Sequence, residues 1–206
     1  MAFPHQSIYL ASASPRRREL LKQIGVRHEV VLLRMLPSRM DVDETPLPGE
    51  APADYVVRLA RTKADAGIRG CRARRLPLRP VLAADTTVTI DGLIIGKPAN
   101  AQEAEATLAR LAGRTHEVLT AVALAWDDRL ETRLSVSKLT FASLNASQIR
   151  SYVASGESHD KAGGYAVQGR AAAFITRLEG SYSGVMGLPL AETVELLQEF
   201  GLENML

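Results

Sequence analysis

The sequence predicts an α/β protein. Short apolar runs alternate with amphipathic stretches along the whole chain, and several amphipathic stretches end at a glycine. The 206 residues are 46% hydrophobic and 23% charged, which is typical of a globular chain and excludes a disordered or fibrous one. With no internal repeat and no separating linker, we expect a single domain over residues 1–206.

The amino-terminal part predicts a strand that passes directly into a helix. Residues 8–11 form a short apolar run, after which Ser14 supplies an N-cap and Pro15 a first-turn proline. Gly25 is a typical helix stop. Residues 30–33 are then consistent with a second strand.

The next segment predicts a loop, a helix and a second loop. Residues 40–51 are rich in proline and acidic residues, whereas Tyr55, Leu59 and Lys63 recur at helical spacing. Residues 67–80 contain five arginines and have the least structured pattern, which indicates a solvated surface loop. A basic arm for nucleic acid is the alternative, but no aromatic residue is interleaved there for base stacking.

The remaining sequence predicts a sheet with hairpins and three further helices. The segment 169–180 reads as a core strand rather than a membrane wedge, because it is short and flanked by arginine. The predicted elements are strands at 81–84 and 86–90, a hairpin turn at Asp91-Gly92 with a return strand at 93–95, a helix at 101–112, strands at 118–126 and 130–141, a helix at 147–154, extended segments at Val167 and at 174–175, and a helix at 189–200.

Charge and cysteine content exclude several classes of protein. The formal net charge of +2 is too small to indicate a stable nucleic-acid partner. The single cysteine, Cys71, excludes an internal disulfide framework, and the four histidines show no zinc-ligand spacing. No apolar run approaches the about 20 residues of a membrane span, and no signal peptide is evident, so we expect a cytoplasmic protein.

The first candidate site lies at the start of the first helix. Ser12 and the helix N-terminus offer hydrogen-bond donors for an anion, and Arg16 and Arg17 add positive charge there. Arginine at a helix N-terminus opposes the helix dipole, and such a local conflict is typical of a functional site. An exposed basic helix face is the alternative.

The second candidate is a carboxylate at the end of an apolar run. Asp85 follows four apolar residues, in the position where open α/β sheets bind ligands, and it suits a metal ligand or a general base. The hairpin returns the chain so that Lys97 can lie near Asp85 and contact phosphate. A turn-capping aspartate and a solvent-exposed lysine are the alternative.

Two further candidates lie in loops. Asp41, Asp43 and Glu44 suit a hard divalent cation, but charge compensation at a helix start is the preferred explanation of this cluster. Lys63 on the next helix either reaches inward or lies along the surface. The glycine-rich segment 156–190 could close on a ligand, where the amide of Gln168 suits the edge of a base; a set of mobile turns is the alternative.

Taken in order, these motifs resemble the Maf family of nucleoside triphosphate pyrophosphatases over about residues 8–200. They are Ser12-x-Ser14-x-Arg16-Arg17, Glu44, Lys63, Asp85-Thr86, Gly96-Lys97-Pro98, Asp160-Lys161-Ala162-Gly163 and Gly187-Leu188-Pro189-Leu190. The resemblance implies an elongated mixed sheet with flanking helices and two lobes around a central cleft, as in inosine triphosphate pyrophosphatases. It also implies homodimers.

The resemblance assigns an activity and residue roles. It implies hydrolysis of a nucleoside triphosphate between the α and β phosphates with a divalent metal. Our hypothesis for the mechanism is that Glu44 and Asp85 hold this metal, Mg²⁺ or Mn²⁺. Asp85 matches the proton acceptor. The positions that match substrate choice are Arg16, Thr86 and Gln168, and those that match other polar cleft residues are Ser12, Arg17, Glu44, Lys63 and Lys97.

Arg16, Thr86 and Gln168 resemble the branch acting on dTTP and UTP rather than the branch acting on 7-methyl-GTP.

Two interpretations from other functional classes remain open. One is a non-catalytic nucleotide sensor linked to division-site control, which uses the same cleft for binding only. The other is an RNA-binding module built on residues 69–79.

Overall fold

The computed structural model describes residues 7–34 and 40–202, and these form a mixed α/β fold around one seven-stranded sheet. The strand order is β2-β1-β3-β5-β6-β7, and β4 pairs with β3 beside this path. The strands are β1 (Ile8–Leu10), β2 (His28–Val30), β3 (Val81–Ile90), β4 (Leu93–Ile95), β5 (Thr115–Trp126), β6 (Arg129–Phe141) and β7 (Ile175–Glu179). The predicted fold class is confirmed.

Within residues 7–34 and 40–202, six α-helices flank the sheet. They are α1 (Pro15–Gln23), α2 (Pro52–Ala73), α3 (Ala101–Leu111), α4 (Ala146–Ala154), α5 (Tyr182–Met186) and α6 (Leu190–Glu199), with short 3₁₀ turns at Ala162–Gly164 and Arg170–Phe174. Local sequence explains several boundaries: prolines begin α1 and α2, the Asn100 side chain caps α3, and Asn145 with Gln148 forms a capping box on α4. The five-residue helix α5 was not predicted.

The core is divided among the two faces and the two ends of the long strands. Near the start of β3, alternate residues pack on α1 and α6 on one face and on α2 on the other. Near the end of β3, a separate cluster packs on α3 and α4 and includes the aromatic rings of Phe141, Tyr152 and Tyr165. The middle of β3 therefore lies between the core clusters. The single domain over 1–206 stays a prediction.

Helix α2 corrects the predicted loop at residues 67–80. The helix continues through Gly67 to Ala73, and only residues 74–80 leave it. A Cβ atom at Gly67 would lie 2.7 Å from Val81 Cγ1 and 3.0 Å from Ala11 Cβ. Glycine here permits close packing of the helix on the sheet, and this tertiary contact outweighs its low helix propensity.

Three smaller strand predictions were also wrong. The second strand, β2, ends at Val30, whereas the sequence predicted a strand at residues 30–33. Val167 lies in a turn. The segment 169–180 begins with a 3₁₀ turn and ends as β7, an edge strand whose residues are mostly exposed, rather than as a core strand.

Candidate active site at a gap in the sheet

The candidate site lies where one edge of β3 has no neighbouring strand. β1 pairs with β3 only as far as Leu82, and β4 pairs with it only from Val88 onward. Among the described residues, no strand pairs with residues 83–87 on this edge, while β5 pairs with them on the other edge. Because neighbouring side chains of a strand point to opposite faces, such a gap is the place where one ligand can contact side chains from both faces.

On the α2 face, Lys63 joins two carboxylates. Its Nζ lies 2.6 Å from Asp85 Oδ1 and 2.7 Å from Glu44 Oε1. The side chains of Lys63 and Asp85 are only 13% and 11% exposed, whereas that of Glu44 is 34% exposed. The helical spacing that aligned Lys63 with Tyr55 and Leu59 therefore directs it inward.

Burial and charge move the pKa values of the two carboxyls in opposite directions. Burial raises the pKa of Asp85 above its usual value, and this desolvation exceeds the opposing effects of Lys63 and Arg17. Burial also acts on Glu44, but there the charges of Lys63, Lys97 and Arg17 together hold its pKa below the usual value. The direction of its shift makes Asp85 a better proton acceptor than an ordinary aspartate, whereas the nearby cations favour the charged form of Glu44.

Of the three candidate carboxylates in the loop ahead of α2, only that of Glu44 lies at this site. Asp41 pairs with Arg34, and Asp43 accepts a hydrogen bond from the Thr45 backbone N–H at 2.9 Å. Glu44 is held by its own backbone, because the Tyr55 hydroxyl donates to its carbonyl oxygen at 3.0 Å. Asp41 and Asp43 therefore make local contacts within the loop, while Glu44 belongs to the candidate site.

On the opposite face, Arg17 is fixed by three protein acceptors. Its Nε donates to the Gly187 carbonyl at 2.7 Å, its Nη1 to Ser12 Oγ at 3.2 Å and its Nη2 to Thr86 Oγ1 at 3.3 Å. Arg16 donates through Nε to the Met186 carbonyl at 3.2 Å. The loop after α5 therefore holds both arginines, which accounts for their position at a helix N-terminus.

One residue of this face was missed in the sequence. The Thr120 hydroxyl, on β5, donates to the Gly184 carbonyl at 2.7 Å and lies 3.0 Å from Thr86 Oγ1. Thr120 is directly opposite Thr86 in the β3–β5 ladder and is almost completely buried. A threonine inside an apolar strand is common, so only the strand register could have identified it.

The remaining predicted site residues, Lys97 and Gln168, are both exposed. Lys97 follows β4 and is exposed, but its charge contributes to the low pKa of Glu44, which places it near the carboxylates. Gln168 is exposed, and among the described residues its side chain makes no hydrogen bond. The loop that contains Gln168 is tied to the β4 segment, since the Gly163 N–H donates to the Gly96 carbonyl at 3.1 Å.

The sequence profile of Maf-like proteins matches residues 7–200. The chain belongs to the Maf family. Relatives of this Maf protein from Nitrosomonas europaea and Aromatoleum aromaticum are each 56% identical over 196 residues, covering 95% and 94% of this chain and 95% of each relative. A third from Dechloromonas aromatica is 52% identical over 94% of this chain and 97% of its own length. All three are named dTTP/UTP pyrophosphatase.

A solved structure, that of the Staphylococcus aureus Ham1 protein, is similar to this Maf protein with a TM-score of 0.50. It covers 94% of this chain and 97% of the other, at 16% identity, so the likeness concerns the fold alone. No helix within residues 7–34 and 40–202 is both long and apolar enough to cross a membrane.

In the arginine-rich segment of this Maf protein, most arginines form ion pairs or hydrogen bonds with neighbouring residues of the protein surface. Arg69 pairs with Asp65, Arg72 with Asp127, and Arg79 with Glu29. Arg74 donates to the Leu32 carbonyl at 2.9 Å. These contacts favour the interpretation as a solvated structural surface over that of a nucleic-acid arm.

The donor set at the gap fits a divalent metal only together with a ligand. Glu44 and Asp85 present carboxylate oxygens to one point, now held by Lys63, and hard cations prefer such oxygens. Among the described residues, no group of three or more acidic, histidine or cysteine side chains could hold a metal ion. Mg²⁺ is commonly bound by one or two carboxylates plus substrate phosphates, and two carboxylates meet that requirement.

Proposed function

We propose that this chain hydrolyses dTTP and UTP to the monophosphate and pyrophosphate. The observation on which this proposal depends is that a buried carboxylate, Asp85, and a fixed guanidinium, that of Arg17, meet at one gap in the sheet. The nucleotide is taken from the name shared by relatives that are more than half identical over almost the entire chain.

Positive groups at the gap suit a triphosphate. A guanidinium has five N–H donors, and the described protein acceptors of Arg17 use three of them, which leaves two for phosphate oxygens. Arg16, Lys63 and Lys97 add positive charge around the same opening. Such a preorganised field stabilises the charge that develops on the leaving pyrophosphate.

Asp85 would accept a proton from the water that attacks the α phosphorus. Its raised pKa improves it as a base relative to an ordinary aspartate, and Lys63 holds its carboxylate in one orientation. Glu44 and Asp85 would hold Mg²⁺ or Mn²⁺, which neutralises phosphate charge and lowers the pKa of bound water. Arg16, Thr86 and Gln168 would set substrate choice, as the family resemblance implies.

The proposal also includes a cytoplasmic location and a homodimer, for which the family resemblance is the support.

The proposed hydrolysis is tested with the purified full chain and a panel of dTTP, UTP, dCTP, CTP, GTP and 7-methyl-GTP, each with Mg²⁺ or Mn²⁺. Chromatography identifies the products. Release of pyrophosphate and monophosphate from dTTP and UTP is expected; binding without hydrolysis would indicate the sensor, and preference for 7-methyl-GTP the other branch.

Asp85→Asn is expected to lower kcat by roughly 10²–10⁴-fold while nucleotide binding is largely kept, the range typical of general acid–base catalysis. Asp128→Asn, in the exposed turn between β5 and β6, is the matched control and should leave kcat unchanged. Full turnover by the Asp85 variant with saturating metal would remove this carboxylate from the mechanism.

A further inference from the structure

The outer edge of β6 has no neighbouring strand over most of its length. β7 pairs with β6 only from Lys138 onward, so residues 129–137 have no strand partner on that edge among the described residues. Leu134 and Val136 of this stretch are 37% and 45% exposed, although both are apolar. Native proteins rarely leave a long apolar edge open, because such an edge pairs readily with a further strand.

The backbone of this edge points the right way for such pairing. The Phe141 N–H donates to the Arg114 carbonyl on the β5 side, whereas the Ala142 N–H donates to the Phe174 carbonyl on the β7 side. Backbone groups of successive strand residues point to alternate edges, so those of even-numbered β6 residues point outward. The outward residues without a strand partner are Leu130, Thr132, Leu134 and Val136.

The contacts already made along this edge leave it able to pair. Arg133 Nη1 donates to the Thr132 carbonyl at 3.0 Å, and a carbonyl oxygen can accept a second hydrogen bond. Arg61 Nη1 donates to the Thr132 hydroxyl at 3.3 Å, a contact that does not involve the backbone. Among the described residues, the other outward backbone groups between positions 130 and 136 have no hydrogen-bond partner.

We propose that two copies of this chain pair through this edge, with the two β6 strands antiparallel and Thr132 at the two-fold axis. A two-fold axis makes one strand edge pair with itself in the antiparallel sense. With Thr132 at the axis, Glu131 lies opposite Arg133 of the second copy, and Leu130 lies opposite Leu134 of the second copy. The inference names the surface of the homodimer included in the proposed function, and it does not depend on which nucleotide is hydrolysed.

The charges of β6 select this register over its neighbours. A pair centred on Glu131 or on Arg133 would place two like charges directly opposite each other, which destabilises a sheet. A pair centred on Leu134 would require Leu130 to meet Lys138, whose outer edge β7 already occupies. The register centred on Thr132 avoids both conflicts and covers part of the exposed apolar surface.

Sedimentation velocity of the purified full chain over a concentration series tests the pairing, and a species of twice the chain mass is expected. Leu134→Arg places a charge against an apolar partner and should raise the dissociation constant of the dimer by at least about tenfold. Leu93→Arg is the matched control, because Leu93 is also an exposed leucine of the sheet but lies on β4, away from this edge. It should leave the dimer unchanged.

Charge reversal tests the register. Glu131→Arg sets two arginines opposite each other at two symmetric places and should also weaken the dimer, whereas the double variant Glu131→Arg with Arg133→Glu should restore it. Arg133 also pairs with Glu199 of its own chain, so the Tm of the double variant is measured as well. In the wild type, hydrogen exchange should show the Thr132 and Leu134 amides protected only at concentrations at which the dimer forms.

The outcomes separate this inference from the proposed hydrolysis. A wild type that stays monomeric at every concentration, or a dimer that Leu134→Arg and Glu131→Arg leave intact, overturns pairing through β6. A folded double variant that does not recover the dimer overturns the register, and if that variant does not fold, amides that stay unprotected in the wild-type dimer overturn it instead. A dimer weakened by both single changes whose wild type releases no pyrophosphate from dTTP contradicts only the hydrolysis.

Discussion

Lys63→Met isolates the ion pair at the centre of the candidate site. Methionine preserves most of the aliphatic length of lysine but removes the ammonium group that lies 2.6 Å from Asp85 and 2.7 Å from Glu44. The two carboxylates then face each other without a cation between them. We expect the pKa of both groups to rise, since Lys63 lowers the pKa of each.

The structure sets the size of the effect on stability. Removing one partner of a buried pair costs about 3–5 kcal/mol, and the lower end applies here because the Glu44 side chain is 34% exposed. A loss of about 3 kcal/mol near neutral pH corresponds to a decrease in Tm of roughly 6–12 °C for a chain of this length.

The pH dependence is the decisive measurement. The loss arises from charged carboxylates, so it is largest where both are ionised and shrinks as pH falls through their raised pKa values and they become protonated. Urea unfolding of wild type and Lys63→Met at several pH values between about 4 and 8 measures this difference.

Lys138→Met is the matched control for that experiment. The Lys138 side chain is 56% exposed and lies 4.0 Å from Glu117, so its removal should change stability by at most about 1 kcal/mol at any pH. A Lys63→Met deficit that is independent of pH, or no larger than that of the control, would refute the reasoning from the buried pair.

Three further predictions concern single residues around the gap. Burial raises the pKa of Asp85, so its ionised form costs stability above the ordinary pKa of aspartate, and in Asp85→Asn the Lys63 ammonium still has Glu44 as its partner. Asp85→Asn should therefore have a higher free energy of unfolding than wild type near neutral pH, and urea titrations should show the difference vanishing as pH falls below the ordinary pKa of aspartate. Gly187 has φ +117°, so Gly187→Ala should lose roughly 1–3 kcal/mol and also lower kcat/KM by displacing the carbonyl that holds Arg17, as followed by thermal melts and nucleotide assays; wild-type stability would contradict this. Gln168 is exposed, so Gln168→Glu should leave Tm unchanged while weakening dTTP hydrolysis, and unchanged kinetics would remove it from substrate choice.

The sequence was most informative where local pattern and tertiary position agree. Four apolar residues before Asp85 correctly predicted a buried strand, but the carboxylate does not lie beyond its end, because β3 continues through Asp85 to Ile90. The helical spacing of Lys63 with Leu59 predicted the face that packs inward. The turn at Asp91-Gly92 was predicted by the preference of both residues for positive φ, and both have it.

The sequence was least informative where distant segments decide the structure. Gly67 suggested a loop, but in the structure it permits a close contact between α2 and Val81, which no local sequence pattern reveals. Thr120 became visible only from the register that sets it opposite Thr86. The arginines at the start of α1 suggested an anion site, yet the carbonyls of Met186 and Gly187 that hold them lie about 170 positions away in the chain.

The gap beside β3 gives two adjacent residues of the strand, Asp85 and Thr86, different surroundings. Asp85 and Thr86 are one peptide bond apart, yet Asp85 forms its ion pair with Lys63 of α2, whereas Thr86 has hydrogen bonds with Arg17 of α1 and Thr120 of β5. Under the proposed function, a substitution on the α1 side would change which nucleotide is accepted while leaving the Asp85–Lys63 pair in place. The continuous β3–β5 ladder holds Asp85 and Thr86 in a fixed relation to each other. Substrate preference can therefore change around Thr86 while the position of Asp85 is kept.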